Sequence, residues 1–326
     1  MTAVLNANSA NIATAADVLR RGGLVAFPTE TVYGLGANAL DADAVGRIFA
    51  AKGRPAANPL IVHVADAAGV GAIAADWPDA AARLAERFWP GPLTLVLPKR
   101  DAVPGVVTAG GPTVAVRVPA HPVARALLRA AGVPVAAPSA NRSSELSPTT
   151  AEHVLRGLGG RIDLILDAGP CPGGIESTVL DVTSDPPRLL RPGLVTPAEI
   201  EAVIGPIRRP GGQASAAVPV LRSPGLLAKH YAPRAPLELA DGDGRARVEV
   251  MIREGRRVGW LTWPGVGDVA GAVRVELPCD PAAYAAGLYA ALHDLDAAGV
   301  ERIVVARPPD DEAWLAVRDR LRRAAD

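Results

Sequence analysis

Cationic side chains in one loop-like segment have the types and spacing of a phosphate-binding site. Residues 52–64 read K-G-R-P-A-A-N-P-L-I-V-H-V, which places Lys52 and Arg54 on a loop rich in glycine and proline, just before a buried-strand pattern. Arginine offers a planar fork and lysine a mobile point charge, and together they suit a polyphosphate. Asn58 lies between two prolines and could hold the loop or contact a ligand.

A second polar segment, residues 138–141 with the sequence P-S-A-N, follows another strand pattern. Ser139 and Asn141 could be ordinary turn residues or ligand contacts, and both interpretations stay open. Ser147 and Thr149 precede a helical pattern that begins at residue 150, and we expect one of these two hydroxyls to cap the helix. Because helix N-termini attract anions, capping and phosphate binding are compatible at this position.

Two polar residues interrupt apolar strand patterns. His63 is of a type that is more often a core residue in a strand, but it points away from the face of Val62 and Val64 and could line a cleft. Arg117, in T-V-A-V-R-V, is costly to bury unless a carboxylate pairs with it. A carboxylate ligand would satisfy this arginine, and so would an aspartate or glutamate of the protein.

Glycines and hydroxyl residues crowd two further segments, residues 28–36 and 173–178, where the backbone can approach a ligand closely. The first is not a dinucleotide fingerprint, because its glycines do not follow the strand directly. The sequence contains no Walker loop and no cluster with the spacing of metal ligands, so we predict no metal site.

Strands that alternate with helices position these side chains and predict an α/β fold. Some connections are too short for a crossover helix, which indicates a mixed sheet. The predicted strands are residues 24–27, 60–64, 94–97, 113–118, 133–137, 163–167 and 178–182, and the predicted helices are residues 11–21, 42–51, 123–131 and 150–158.

Composition changes after residue 204, where glycine, proline and small residues are typical of a linker. Strand patterns at 257–262, 273–277 and 302–306 alternate with helical patterns at 245–253, 281–298 and 311–324. We therefore predict a catalytic domain at 1–207, a linker or lid at 208–236 and a smaller α/β domain at 237–326.

The chain has 326 residues, a formal net charge of zero and 49% hydrophobic residues, as a globular protein has. Zero net charge argues against a global basic field for nucleic acid. Cys171 and Cys279 match no metal spacing and are expected to be reduced in a cytoplasmic protein. Residues 1–11 do not have the pattern of a signal peptide, and no apolar run is long enough to predict a membrane span.

Several motifs, taken together, resemble the YrdC-like family. They are P-T-E-T-V-Y-G-L-G (28–36), the segment 52–64, F-W-P-G-P-L-T (88–94), V-A-V-R-V-P (114–119), A-P-S-A-N (137–141), E-S-T-V-L-D (176–181) and R-P-G (191–193). The segment S-P-G-L-L-A-K-H-Y-A-P (223–233), followed by a small α/β domain, resembles the two-domain threonylcarbamoyl-AMP synthases. The resemblance implies a twisted open mixed sheet and a second, smaller Rossmann-like domain.

The resemblance also implies an activity, a nucleotidyl transfer in which L-threonine, bicarbonate or CO2, and ATP give threonylcarbamoyl-AMP and pyrophosphate. The product would feed threonylcarbamoyladenosine formation on tRNA by a downstream transfer machinery in the cytoplasm. Magnesium would be carried by the ATP phosphates, with Glu30 the one carboxylate considered near it. Neither a membrane nor strong direct nucleic-acid binding is expected.

Residue roles follow from the same resemblance. The catalytic residues would be Lys52, Arg54, Ser139 and Asn141. The ATP contacts would be Lys52, Arg54, Asn58, Thr113, Ser139, Asn141, Ser147, Arg191 and Tyr231, and the threonine contacts Thr31, His63, Arg117, the backbone at Ala137, and Ser177. Tyr231, with Lys229 and His230, would close over the site as a lid.

Three other functions are compatible with a nucleotide-binding α/β chain. An RNA-docking module without catalysis is disfavoured by the zero net charge. A carbamoyl-phosphate-using transferase would need acylphosphatase-like or zinc-finger segments, and two cysteines cannot build the latter. A regulatory nucleotide sensor is the third. Threonine-dependent ATP turnover separates all three from the synthase.

Overall fold

The computed structural model describes residues 1–55, 57–209 and 231–325. These residues form two compact units. The first unit contains Met1–Ser143, Pro148–Pro172 and the described residues from 176 to 209, and the second contains Ser144–Ser147, Gly173–Ile175 and residues 231–325. The predicted linker, residues 208–236, lies largely outside the described part of the chain, so the domain boundaries stay predictions.

Ten strands of the first unit, counted over its described residues, form one mixed sheet in the order β1-β8-β2-β3-β7-β4-β6-β5-β9-β10. Parallel pairs such as β4 and β6 adjoin antiparallel pairs such as β5 and β6, which confirms the predicted mixed sheet. The strands are β1 (Ala3–Asn6), β2 (Val25–Phe27), β3 (Gly34–Asn38), β4 (Ile61–His63), β5 (Leu93–Pro98), β6 (Thr113–Arg117), β7 (Val135–Ala136), β8 (Leu164–Asp167), β9 (Thr178–Asp181) and β10 (Arg188–Arg191).

Helices of the first unit begin and end at the signals that the sequence carries. The Asp41 side chain accepts hydrogen bonds from the first backbone N–H groups of α2, and Gly53 ends that helix in the left-handed conformation. Thr196 and Glu199 form a reciprocal capping box at α6. The helices are α1 (Ser9–Arg20), α2 (Ala42–Lys52), α3 (Asp79–Phe88), α4 (Pro122–Ala131), α5 (Ala151–Leu158) and α6 (Pro197–Ile204).

The strands alternate their side chains between two cores, one on each face of the sheet. In β2, Val25 and Phe27 pack in one buried cluster with residues of α1 and α4. Ala26, between them, packs in the other cluster with residues of α2, α3 and α5. This period of two buries both faces and leaves the strand ends to carry polar groups.

The second unit has its own parallel sheet, in the order β11-β14-β12-β13. Its elements are β11 (Leu237–Ala240), α7 (Arg245–Arg253), β12 (Val258–Thr262), β13 (Val273–Glu276), α8 (Pro281–Ala297), β14 (Arg302–Ala306) and α9 (Leu315–Ala324). An all-parallel sheet with helical connections confirms the smaller Rossmann-like fold.

The second unit is also discontinuous along the chain. The Ala232 N–H donates to the Ser144 carbonyl at 3.0 Å, and His293 Nε2 lies 3.1 Å from the carbonyl oxygen of Ser147. A Cβ placed at Gly174 would lie 2.2 Å from the carbonyl oxygen of Ala285 in α8, so only glycine fits there. Two short early segments are therefore part of this unit.

The structure differs from the sequence predictions in several elements. Residues 34–38, expected within a polar loop, form β3, a glycine-containing strand that is paired on both sides. Lys52, expected on a loop, is the last residue of α2. The cap of α5, expected at Ser147 or Thr149, is instead Thr150, because the helix begins at Ala151 and the Thr150 side chain accepts from the His153 N–H. A short 3-10 turn, Glu312–Trp314, begins the region predicted as one helix at 311–324. Elements without a prediction are β1, α3, β10, α6 and β11.

Candidate functional site

A row of buried polar side chains crosses the large sheet at neighbouring strand ends. β4 and β6 run parallel and pair His63 with Arg117. β5 is antiparallel to β6 and pairs Leu95 with Val116, so Thr94 comes opposite Arg117 in the same register. Because residues paired across strands project from the same face, His63, Arg117 and Thr94 form one continuous polar row.

Arg117 is surrounded by acceptors from other segments of the first unit. Its Nη2 donates to Glu30 Oε1 at 2.6 Å and to the Thr31 hydroxyl at 3.0 Å. Its Nε donates to the carbonyl oxygen of Gly91 at 3.2 Å. The guanidinium therefore has a carboxylate partner within the protein, which is one of the two possibilities that the sequence left open.

Ser177 continues the row through hydroxyl and guanidinium contacts. The hydroxyl groups of Thr94 and Ser177 are 2.8 Å apart and share a hydrogen bond. Arg191 donates from Nη2 to the Ser177 hydroxyl at 3.2 Å and from Nε to the Ser177 carbonyl at 3.0 Å. The structure thus brings together Thr31, His63, Arg117, Ser177 and Arg191, all of which the sequence singled out.

His63 is held as a neutral imidazole. Burial, together with the positive charge of Arg117, lowers the pKa of His63 from 6.5 to about 3. Its ring meets Phe27 edge-on at 6.4 Å between centroids, and Nδ1 is buried with no hydrogen-bond partner among the described residues. A neutral ring beside a cation can exchange a hydrogen bond with a ligand without adding charge.

Lys52 ties the end of α2 to the segment that follows β7. Its ammonium donates to the carbonyl oxygen of Ser139 at 2.6 Å and also to that of Asn141. The Ser143 N–H donates back to the Lys52 carbonyl at 2.8 Å. Lys52 is 2% exposed, so its ammonium group lies in a buried turn and not at a solvated helix end.

Arg54 organises the loop that precedes β4. It donates from Nε to the Asn58 carbonyl at 3.3 Å and from Nη2 to the Pro59 carbonyl at 3.0 Å. The Asn58 side chain is 1% exposed, and neither its amide oxygen nor its amide nitrogen has a partner among the described residues. Buried amides are nearly always hydrogen-bonded, which favours a ligand-binding role for Asn58.

Two other predicted residues lie at strand ends of the large sheet. The backbone N–H of Ala137 donates to the Ile61 carbonyl at 2.9 Å, which fixes Ala137 beside β4. Thr113 begins β6, whereas Arg117 ends it. At about 3.3 Å per residue, these two positions are on the order of 13 Å apart, so a ligand that contacts both must be extended.

The predicted contacts Ser147 and Tyr231 belong to the second unit. Tyr231 is buried there, with its ring 5.9 Å from that of Tyr289 and 5.3 Å from the guanidinium carbon of Arg320. Its φ of +63° is unusual for a residue other than glycine. Lys229 and His230, the other residues of the predicted lid, lie outside the described residues.

Metal-binding clusters and membrane-spanning helices are both absent from the part of the chain that the structure describes. Among those residues, no group of three or more His, Cys, Asp or Glu side chains could hold a metal ion. Glu30, the one carboxylate considered near magnesium, is engaged by Arg117 and by the Ala120 N–H at 3.0 Å. Burial raises the pKa of the Cys171 thiol to about 12. None of the helices described has the length and apolar character needed to span a membrane.

Sequence reasoning missed Thr94 and the partnership of Glu30 with Arg117. Both residues lie in motifs that the sequence analysis quoted, F-W-P-G-P-L-T and P-T-E-T-V-Y-G-L-G. A strand threonine next to a buried arginine gives only a weak local signal. Its partner Ser177 is 83 residues away along the chain, so the contact depends on the sheet register.

Comparison with known families covers both units. A Sua5/YciO/YrdC profile described as "Telomere recombination" matches residues 17–193. A second profile, described as "Threonylcarbamoyl-AMP synthase, C-terminal domain", matches residues 195–326. The first alone spans more than half of the chain.

Similar proteins match the chain over nearly its whole length. A threonylcarbamoyl-AMP synthase of Bacillus subtilis is 49% identical, over 100% of this chain and 96% of the relative. One from Pyrococcus abyssi is 45% identical, over 100% of this chain and 98% of the relative. The crystal structure of P. abyssi Sua5 complexed with L-threonine superposes with a TM-score of 0.92 at 44% identity, covering 99% of this chain and 98% of that one.

Proposed function

The chain belongs to the Sua5/YciO/YrdC family of threonylcarbamoyl-AMP synthases, and on this premise we propose that it makes threonylcarbamoyl-AMP and pyrophosphate from L-threonine, bicarbonate or CO2, and ATP. The observation that carries the proposal is the full-length match, since both halves of the chain match relatives of this name. The polar row around Arg117 supports it, because a row of hydroxyls, a neutral imidazole and a guanidinium suits a small polar amino acid.

The threonine subsite consists of Thr31, His63, Arg117, the backbone at Ala137, and Ser177. Arg117 is the cation of the row and binds the substrate carboxylate through a charge-assisted hydrogen bond. His63 is neutral and therefore does not repel the substrate amine. Ser177 is oriented by Thr94 and Arg191 and offers its hydroxyl to the substrate.

The reaction needs positioning more than a strong base. The threonine ammonium first loses a proton to water, and the free amine then attacks the carbon of CO2. The adduct loses a second proton from nitrogen to water and becomes a carbamate. A carbamate oxygen attacks the α-phosphorus of ATP, and the bond from this phosphorus to the bridging oxygen of pyrophosphate breaks. Carbamates are labile, so holding both substrates in contact and excluding water account for most of the benefit.

The nucleotide subsite supplies the positive charge for this transfer. We assign Lys52, Arg54, Ser139 and Asn141 to the catalytic machinery, because cations and dipoles near the phosphates stabilise the charge that develops on the phosphoryl oxygens and on pyrophosphate. Buried Asn58, whose amide has no partner among the described residues, is a further ATP contact. The remaining assigned ATP contacts are Thr113, Ser147, Arg191 and Tyr231.

Magnesium would be carried by the ATP phosphates, where it neutralises their charge. The product would pass to the machinery that transfers the threonylcarbamoyl group to tRNA in the cytoplasm. We further propose a catalytic domain at 1–207, a linker that serves as a lid at 208–236, and a small domain at 237–326.

Pyrophosphate release from ATP and bicarbonate, measured with and without L-threonine, tests the proposed function. We expect strict dependence on threonine, a much weaker response to serine, and a product with the mass of threonylcarbamoyl-AMP. ATP binding without threonine-dependent release would contradict the proposal and would favour a nucleotide sensor. Binding of RNA without turnover would favour a docking module.

A further inference from the structure

We propose that Glu30 is a positioning residue that orients Arg117 for the substrate carboxylate. The proposal rests on the proposed function, in which Arg117 binds the carboxylate of threonine. It concerns how this arginine is held before the substrate arrives.

Both oxygens of the Glu30 carboxylate are used. Oε1 accepts from Arg117 Nη2 at 2.6 Å, and Oε2 accepts from the Ala120 N–H at 3.0 Å. The side chains of Arg117 and Glu30 are only 5% and 14% exposed, so solvent screens the pair weakly. The backbone N–H of Ala120 donates to one carboxylate oxygen and fixes it, and the other oxygen in turn fixes the position of Arg117 Nη2.

A glycine turn holds the other side of the guanidinium. The Gly91 carbonyl accepts from Arg117 Nε at 3.2 Å, and the Gly91 N–H donates to the Val118 carbonyl at 2.8 Å. A Cβ at position 91 would lie 2.2 Å from the Phe88 carbonyl oxygen, so this turn admits only glycine. This geometry gives a physical role to Gly91 of the F-W-P-G-P-L-T motif, a residue that the proposed function did not use.

The two supports leave one nitrogen of the guanidinium, Nη1 with its two N–H donors, for a ligand. Nε is used by Gly91, and Nη2 is used by Glu30 and by the Thr31 hydroxyl at 3.0 Å. Nη1 forms no hydrogen bond with any residue that the structure describes. A planar group held at two of its three nitrogens cannot rotate, so the direction of the third is fixed.

This arrangement has a functional advantage over an arginine without support. A mobile arginine would lose side-chain freedom each time it bound a carboxylate, and that loss would weaken binding. Here the folded protein has already ordered the side chain. Glu30 also neutralises the guanidinium while the subsite is empty, which offsets part of the cost of burying the charge.

The test compares the Michaelis constants for the two substrates in Glu30→Gln. Glutamine has one acceptor oxygen and no charge, so it cannot support both Arg117 and the Ala120 N–H. We expect the KM for L-threonine to rise about tenfold, as for a lost charge-assisted hydrogen bond, whereas the KM for ATP stays within about twofold. Glu201→Gln is the matched control, because it removes the Glu201–Arg209 ion pair of the same unit and should change neither value.

A second readout separates positioning from a general structural role. L-threoninol has the amine and the hydroxyl of threonine but lacks the carboxylate. We expect Glu30→Gln to weaken inhibition by threoninol much less than it weakens binding of threonine. Equal weakening of both would mean a damaged subsite rather than a loosened Arg117, and it would overturn the proposal.

An unchanged KM for threonine in folded Glu30→Gln would also overturn the proposal. Should that variant fail to fold, Glu30→Asp carries the test, because its carboxylate is retained but is too short to reach both partners. The same selective rise in the KM for threonine is then expected, and its absence contradicts the inference. A wild-type protein without threonine-dependent pyrophosphate release would instead contradict the proposed function.

Discussion

The polar row around Arg117 and the cation segment at Lys52 and Arg54 are both buried in the first unit, yet different partners hold them. In the row, Arg117 binds the side chains of Glu30 and Thr31, and Ser177 binds the side chain of Thr94. In the cation segment, the hydrogen bonds run to main-chain carbonyls. The cation segment therefore shapes its own loops, whereas the row orients functional groups one by one.

This difference predicts two kinds of mutational response. Loss of a cation in the cation segment should remove a phosphate contact and release two backbone carbonyls at once. Loss of a hydroxyl group from the row, such as that of Thr94, should affect one neighbouring side chain and leave the backbone intact. The first response should be large and reach both substrates, and the second should be smaller and specific to threonine.

Arg54→Ala should give the largest effect. It removes a cation from the phosphate subsite and leaves the Asn58 and Pro59 carbonyls without their donor, so we expect kcat/KM to fall at least about a hundredfold. Steady-state pyrophosphate release measures this loss, with circular dichroism to verify folding. Arg100→Ala is the control, because Arg100 also donates to a backbone carbonyl, that of Ala74. Equal activity of Arg54→Ala and the control would remove Arg54 from the mechanism.

His63 should make stability depend on pH. Its pKa is about 3 in the folded chain against 6.5 ordinarily, so between these values the unfolded chain binds the extra proton. Stability therefore falls as pH decreases from 6.5 towards 3, by at most about 1.4 kcal/mol per pH unit. Chemical denaturation of the wild type and of His63→Gln at several pH values measures this slope. The variant should have the flatter profile, and parallel profiles would show that His63 titrates normally.

Thr94→Val should break a single link of the row. Ser177 keeps its contacts with Arg191 but loses its hydroxyl partner, so we expect the KM for threonine to rise about threefold to tenfold, as for one neutral hydrogen bond. The value of kcat and the KM for ATP should change little. Thr108→Val is a control at another buried threonine, whose hydroxyl binds the Gly111 carbonyl. The same KM in both variants would mean that the Thr94 hydroxyl does not orient Ser177.

Tyr284→Phe should give the smallest effect, and it should stabilise the protein rather than impair it. The Tyr284 hydroxyl is buried in the second unit with no hydrogen-bond partner among the described residues. Its removal should stabilise the protein by up to about 1 kcal/mol and leave turnover unchanged. Tyr33→Phe is the comparison. The Tyr33 hydroxyl donates to the Gly169 carbonyl at 2.8 Å, so loss of this hydroxyl should destabilise the protein. Thermal denaturation distinguishes the two, and a destabilised Tyr284→Phe would contradict this account.

Much of the fold could be read from the sequence where pattern and propensity agree. Residues 113–118 alternate apolar side chains and form β6, and residues 42–51, between Asp41 and Gly53, form most of α2. The strand at 34–38 could not be read in this way, because G-L-G-A-N has little intrinsic strand propensity and depends on its two neighbours. The end of α2 at Lys52 could not be predicted either, because the glycine and prolines that follow Lys52 are typical of a loop.

In the candidate site, too, the features that depend on contacts between distant segments could not be predicted from the sequence. The sequence indicated that Arg117 needs a carboxylate partner, but it could not say whether the partner is a ligand or the protein. Glu30 is 87 residues away along the chain, and only the sheet brings the two together. The sequence therefore allowed single residues within motifs to be predicted, but not the hydrogen bonds between motifs.

The discontinuity of the second unit has a consequence for the order in which the chain folds during synthesis. Ser144–Ser147 and Gly173–Ile175 leave the ribosome well before residues 231–325, with which they form one compact unit. The contacts of Ser144 with Ala232 and of Ser147 with His293 can form only after the later residues have been made. Because domains tend to fold as they emerge, these two loops reach their final packing late, after the segments of the first unit on either side of them have been synthesised.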